Sequence, residues 1–144
     1  MLHGIVYVDG SFNANTRTYG WGGTLRVVET GETHIIQGSR DYPDYMVEMR
    51  NVAGELNGVI EAVKLAVELG IYNLDIYYDY QGIESWITGK WRCNKEGTRE
   101  YKTFVGSMIA RYDIKINFIK VKAHSGNQFN DEVDRLAKEA AGVL

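Results

Sequence analysis

Gly4-Ile5-Val6-Tyr7-Val8-Asp9 alternates with a period of two. Ile5, Tyr7 and Asp9 fall on one side of an extended chain, with Val6 and Val8 on the other. The stretch reads as a short strand that ends in an acid. A Gly/Asn-rich turn follows, and residues 19–28 and 32–38 read as two further strands joined at Thr30-Gly31 in a hairpin. From about Asn51 the period changes to that of a helix. Val52, Leu56, Val59, Ile60, Val63, Ala66 and Val67 share one face, and Gly70 supplies the stop. Residues 72–78 make a fourth strand rich in Ile and Tyr. Helices near 81–88 and 98–111 flank a basic loop, 114–121 alternates as a fifth strand, and 128–142 is a closing helix. The order predicts an α/β fold with a five-stranded mixed sheet flanked by helices. Its first three strands form an antiparallel meander, and helical crossovers set the later strands parallel to the first.

With 144 residues, 44% hydrophobic content and one proline, the chain has enough apolar surface for one core. No repeat, low-complexity tract or Pro/Gly/Ser linker divides it, so a single domain over 1–144 is expected. No apolar run approaches the roughly 20 residues of a membrane span, and the N-terminus lacks the pattern of a secretory signal. A lone Cys93 excludes an internal disulfide and a multi-cysteine zinc site, and it fits a reducing cytoplasm. The net charge of −3 is unevenly spread. Residues 1–85 carry 5 basic and 12 acidic groups, whereas 86–122 carry 9 basic and 3 acidic. An acidic part suited to metal and a basic part suited to phosphate can share one molecule, although solvated surface charge would leave the same pattern.

Four acids stand in distinctive settings: Asp9 in Tyr-Val-Asp-Gly-Ser, Glu55 in Asn-Val-Ala-Gly-Glu-Leu, Asp79 in Ile-Tyr-Tyr-Asp-Tyr-Gln, and Asp134 in Asn-Asp-Glu-Val-Asp-Arg-Leu-Ala. On the 51–69 helix, Glu61 and Glu68 fall opposite the apolar face with Asn57 and Lys64. Glu55 falls about 80° from the centre of that face, on the flank that meets the sheet. On the last helix, Phe129, Val133, Leu136, Ala137 and Ala140 make the expected buried face. Asp134 lies on one flank and Glu132 on the other, and periodicity does not choose between them. Asp9 and Asp79 both end expected strands, and Asp79 equally suits a helix N-cap. Four clustered carboxylates repel one another, so such a site binds divalent cations or holds protons.

This set, in this order, resembles the active site of type 1 ribonuclease H, over about Gly4 to Ala141. Met-Arg-Asn-Val-Ala-Gly-Glu and Tyr-Tyr-Asp-Tyr-Gln-Gly-Ile-Glu are most similar to the bacterial branch linked to a viroplasmin-like hybrid-binding module. This chain starts directly at the first strand, so that module is not expected. The resemblance implies a ribonuclease H-like fold and an endoribonuclease that hydrolyses the RNA strand of RNA–DNA hybrids, leaving 5′-phosphate and 3′-hydroxyl ends. It implies two Mg²⁺ ions, with Mn²⁺ as a substitute, held by Asp9, Glu55, Asp79 and Asp134, and it selects Asp134 over Glu132. His124, in Lys-Ala-His-Ser-Gly, matches the family's mobile-loop histidine, which assists proton movement or product departure.

Asn15, Asn51 and Gln81 match positions that contact the hybrid's minor groove, where 2′-hydroxyls are read, although each also suits a turn or cap. Gly10 would let backbone approach the substrate. Trp86, Lys90, Trp91, Arg92, Asn94, Lys95 and Thr98 form the expected patch for the DNA strand, with Trp91 equally suited to internal packing. Two departures stand out. The family's long basic protrusion is reduced to the loop at about 89–97, and the common Asn-Pro-Gly turn is replaced by Asn13-Ala14-Asn15-Thr16. The RNA–DNA hybrid is the expected partner, of a monomer with no membrane association. Integrase-like or exonuclease chemistry on the same fold, a non-catalytic hybrid-binding module and an acidic interaction protein are the competing classes.

Overall fold

In a computed structural model of the chain, which describes residues 1–122 and 127–144, ten elements follow one another. They are β1 (Leu2–Asn13), β2 (Thr18–Val27), β3 (Thr33–Arg40), α1 (Asp44–Val47), α2 (Asn51–Glu68), β4 (Ile71–Tyr78), α3 (Gly82–Thr88), α4 (Glu96–Tyr112), β5 (Lys115–Lys120) and α5 (Gln128–Ala141). The five strands form one sheet in the order β3-β2-β1-β4-β5. β1, β2 and β3 pair antiparallel, while β4 pairs parallel to β1 and β5 parallel to β4. The meander, the crossovers and the mixed sheet match the sequence expectation. The one-turn α1 was not foreseen, because four residues carry no helical period.

β1 is longer than the run ending at Asp9. Its ladder with β2 continues to Asn13 opposite Thr18, whereas the ladder with β4 stops at Tyr7 opposite Tyr77. Asp9 therefore sits within a strand, not at its end, at the point where the edge facing β4 opens. Continuing the parallel register by two residues brings Asp9 beside Asp79, immediately after β4. Parallel strands end together, so acids at their carboxyl ends are neighbours without any long-range device.

The core lies between the sheet and α2, α3 and α4. Val6, Leu25, Leu56, Val59, Val63, Leu74, Ile76, Ile83 and Val105 are fully buried there. The other face of β1 and β2 receives α5, whose Val133, Leu136, Ala137 and Ala141 are buried. Phe129, expected on that buried face, is instead 49% exposed. It sits in the first turn of α5, where one side of its ring stacks on Tyr7 of β1 at 5.2 Å, and Tyr7 stacks on Tyr77 at 4.5 Å. Asn57, expected opposite the apolar face, is buried. Its amide donates to the Ala53 carbonyl at 2.8 Å and accepts from Arg40 at 3.4 Å, which satisfies it where α4 covers that side of α2.

Glycines set how closely the two acid-bearing helices approach. A β-carbon at Gly10 would overlap the Asn51 carbonyl and the Glu55 amide, and one at Gly54 would overlap the Gly20 carbonyl. The first turn of α2 thus rests directly on the backbone of β1 and β2. On the opposite face, a β-carbon at Gly22 would come within 2.6 Å of the Ala137 amide and the Val133 carbonyl of α5. Two bare strands let two helices deliver Glu55 and Asp134 to one place.

Candidate active site

Asp9, Asp79 and Asp134 line a single open cleft, together with Gly10, Asn51, Val121, Asn130 and Asp131. Glu55 lies behind it, 3% exposed. The Asp79 amide donates to Glu55 Oε2 at 2.9 Å and the Tyr80 amide to Oε1 at 3.2 Å, so the turn after β4 grips both carboxylate oxygens. Asp9 Oδ1 accepts from the Gly10 amide at 2.8 Å. Asp134 pairs with Lys138 one turn further along α5 at 3.0 Å, and that carboxylate raises the Lys138 ammonium above its usual range. Glu132 points the other way, with Thr24 donating to it at 3.5 Å. Helix geometry, which in the sequence left these two acids equivalent, separates them once β2 is in place. Asn127, ahead of α5, caps it by accepting from the amides of Phe129 and Asn130.

Electrostatics set the cleft apart from ordinary surface acid. Burial raises the Asp9 carboxyl to about 7; the Gly10 amide opposes this, and the charges of Asp134 and Asp79 reinforce it. Glu55 is raised to about 8, again by burial first, against the pull of the Asp79 and Tyr80 amides and with the push of Asp9 and Asp79. Carboxyls held this far above their usual range accept a cation readily in place of a proton. Among the described residues, no three His, Cys, Asp or Glu side chains close into a cage. An open arc of hard oxygens is what Mg²⁺ takes, since it keeps several waters and shares its remaining positions with substrate phosphate. The residues present fit that ion.

A second groove adjoins the first. Glu48, Met49, Val52, Tyr80, Trp86, Arg92, Asn94, Lys95 and Thr98 line it. The cleft and the groove share a wall, Asn51-Val52 from α2 and Asp79-Tyr80 from the turn. Tyr80, Trp86 and Trp91 meet with centroids 5.8 to 6.0 Å apart, so Trp91 packs edge-on within this trio.

The other expected contacts divide. Asn51, Trp86, Arg92, Asn94 and Lys95 line the two depressions. Thr98 borders the groove but is 2% exposed, and its hydroxyl donates to the Lys95 carbonyl at the start of α4. Gln81, just ahead of α3, donates to the Ser85 hydroxyl at 2.9 Å, and Asn15 stands on the β1–β2 turn. Neither of these, nor exposed Lys90, lines the cleft or the groove. Gly10 lines the cleft, but the space its missing β-carbon leaves is taken by α2 and not by an approach to substrate. His3 and His34 pair with Asp75 and Glu32, away from the cleft. His124 lies outside the described residues. Tyr80, Glu48 and Asn130 were not anticipated. An aromatic residue directly after the third acid was the available signal for Tyr80.

The ribonuclease H family model matches residues 3–142. Ribonuclease H of Ehrlichia ruminantium is 34% identical, covering 93% of this chain and 91% of that protein. Ribonuclease H of Anaplasma marginale is 30% identical over 92% and 86%. Among solved structures, the N-terminal RNase H domain of a Mycobacterium tuberculosis protein superposes with a TM-score of 0.80 at 17% identity, covering 99% of this chain and 96% of that one. LC11-RNase H1, solved in complex with RNA/DNA hybrid, gives 0.77 at 17% identity, with 97% of each chain covered. Sequence and fold agree across nearly every residue, and the chain belongs to the ribonuclease H family.

Proposed function

We propose that the chain is an endoribonuclease that hydrolyses the RNA strand of RNA–DNA hybrids, leaving 5′-phosphate and 3′-hydroxyl ends. The observation that carries this reading is the convergence of Asp9, Asp79 and Asp134 in one cleft, with Glu55 buried behind them and a basic, aromatic groove alongside. Bound at these four carboxylates, a pair of divalent cations (Mg²⁺, with Mn²⁺ as substitute) would activate the attacking water and stabilise the leaving 3′-oxygen. The chain's own groups do the rest. Asp9 sits centrally, with Glu55 and Asp79 on one side and Asp134 on the other. Asn51, on the shared wall, offers an amide that both donates to and accepts from a 2′-hydroxyl. Arg92 and Lys95 hold phosphates, and Trp86 gives the DNA strand an apolar surface. His124 would supply an imidazole for the proton leaving with the product.

Among the described residues, no helix is long and apolar enough to cross a membrane. We assign the enzyme to the cytoplasm as a monomer with one catalytic domain over 1–144; the family model's match to residues 3–142 supports the single domain. The test is cleavage of end-labelled RNA paired with DNA, in Mg²⁺ or Mn²⁺, beside RNA–RNA and DNA–DNA duplexes. Metal-dependent cutting of the hybrid's RNA alone, lost in Asp9→Asn, is expected. Well-folded protein that binds hybrid without cutting it in either metal would make the chain a binding module instead.

A further inference from the structure

The turn between β4 and α3 has two duties that meet in one residue. Its peptides hold Glu55: the Asp79 amide takes one carboxylate oxygen and the Tyr80 amide the other. Yet residues 79–81 lie beyond the β4 ladder, so strand pairing does not fix them. Among the described residues, its carbonyls are anchored only where α3 begins and where β4 ends: the Ile83 amide donates to the Tyr80 carbonyl at 2.9 Å, the Ser85 amide to the Gln81 carbonyl at 3.1 Å, and the Val121 amide to the Tyr78 carbonyl at 2.8 Å. What clamps the turn from the side is the Tyr80 ring. It lies 5.8 Å from Trp86 and 6.0 Å from Trp91, centroid to centroid. Trp91 is tied back in turn, its amide donating to the Ser85 carbonyl at 3.0 Å. Gly82 makes the fit possible, since a β-carbon there would press to 2.6 Å from the Tyr80 ring and 2.8 Å from the Trp86 ring.

The same ring is 40% exposed and forms part of the wall of the groove beside the cleft. Whatever fills that groove touches the side chain of the residue whose amide grips Glu55. We propose that Tyr80 is a positioning residue: its ring, wedged against Trp86 and Trp91, fixes the 79–80 peptide and with it the Glu55 carboxylate, so that a strand lying in the groove is sensed at the metal-binding acids. The inference rests on the hybrid-cleavage reading for its catalytic consequence and on the fold alone for its structural one.

Three variants separate this role from a plain contact surface. Tyr80→Ala removes the wedge, Gly82→Ala displaces it without deleting any atom of it, and Tyr80→Phe keeps the ring. Each is measured for kcat and KM on hybrid, for Mg²⁺ affinity by calorimetry without substrate, and for amide exchange at residues 79 and 80. Thermal melting confirms folding. Tyr80→Ala and Gly82→Ala are expected to lower kcat about tenfold, to weaken Mg²⁺ binding and to lose amide protection at 79 and 80, with Tyr80→Phe close to wild type. A rise in KM alone, with kcat, Mg²⁺ affinity and amide protection unchanged in Tyr80→Ala, would overturn the proposal and leave Tyr80 as a groove wall. Were the wild type inactive on hybrid, the function would fall, while Mg²⁺ affinity and amide exchange would still decide the role of Tyr80.

Discussion

The cleft and the groove are neighbours built in opposite ways. The cleft draws its acids from β1, α2, the end of β4 and α5, residues 9 to 134, and every added charge works against the others. The groove is largely one local segment, residues 80 to 98, closed against residues 48, 49 and 52 and held by aromatic packing. One region costs stability and is sustained by the scaffold, and the other contributes to the packing that sustains it. Charge follows the same division, with the carboxylates gathered at the cleft and Arg92 and Lys95 beside Glu48 in the groove. The shared wall, Asn51-Val52 and Asp79-Tyr80, is where the two meet.

The strongest way to break the contrast is to remove the central acid. Asp9→Asn should lower hybrid cleavage by about 10³-fold or more, because the loss falls on transition-state charge stabilisation worth several kcal/mol. Single-turnover rates at saturating hybrid would show it, with binding retained. Next is the glycine bed. Gly54→Ala forces a methyl group into the Gly20 carbonyl, so destabilisation of about 3 kcal/mol or more is expected in urea melts, with activity lost together with the fold. Groove substitutions should behave differently. Arg92→Ala and Lys95→Ala are expected to raise KM, to leave kcat near wild type, and each to reduce the slope of log affinity against log salt by about 1. The smallest effect belongs to Lys138→Ala, whose exposed pair with Asp134 should change melting by less than about 0.5 kcal/mol.

Much of this was legible in the chain. The period-two run at 4–9, the 3.6-residue period from Asn51 and the order of elements gave the sheet, and helix phase singled out Glu55 from Glu61 and Glu68. Glu132 and Asp134 could not be separated by phase, since both flank α5's apolar face and only β2's position decides which of them faces Asp9. Phe129 obeyed the helical period, yet in the first turn of α5 it stacks on Tyr7 with half of its surface still exposed. Asn57 broke it because α4 covers a side of α2 that the period alone assigns to solvent. The close approaches at Gly10, Gly22 and Gly54 are pairwise facts of packing, and no single stretch encodes them.

Proton linkage tests the cleft without any substrate. Asp9 and Glu55 titrate near 3.8 and 4.5 when unfolded and at about 7 and 8 in the folded chain. Between those limits the folded state holds protons that the unfolded chain has released. The contribution of these two groups therefore falls as pH rises from about 3.8 to 8 and levels off above that, and a divalent cation that replaces the protons should restore it. The decisive measurement is the melting temperature of wild type and Asp9→Asn from about pH 5 to pH 8.5, with and without Mg²⁺. A cleft poised for cations predicts that metal-free wild type loses stability toward pH 8.5 and regains it with Mg²⁺, while Asp9→Asn melts higher than metal-free wild type at pH 8.5 and responds less to Mg²⁺. Two parallel curves, with no gain from Mg²⁺ and none from Asp9→Asn, would contradict it.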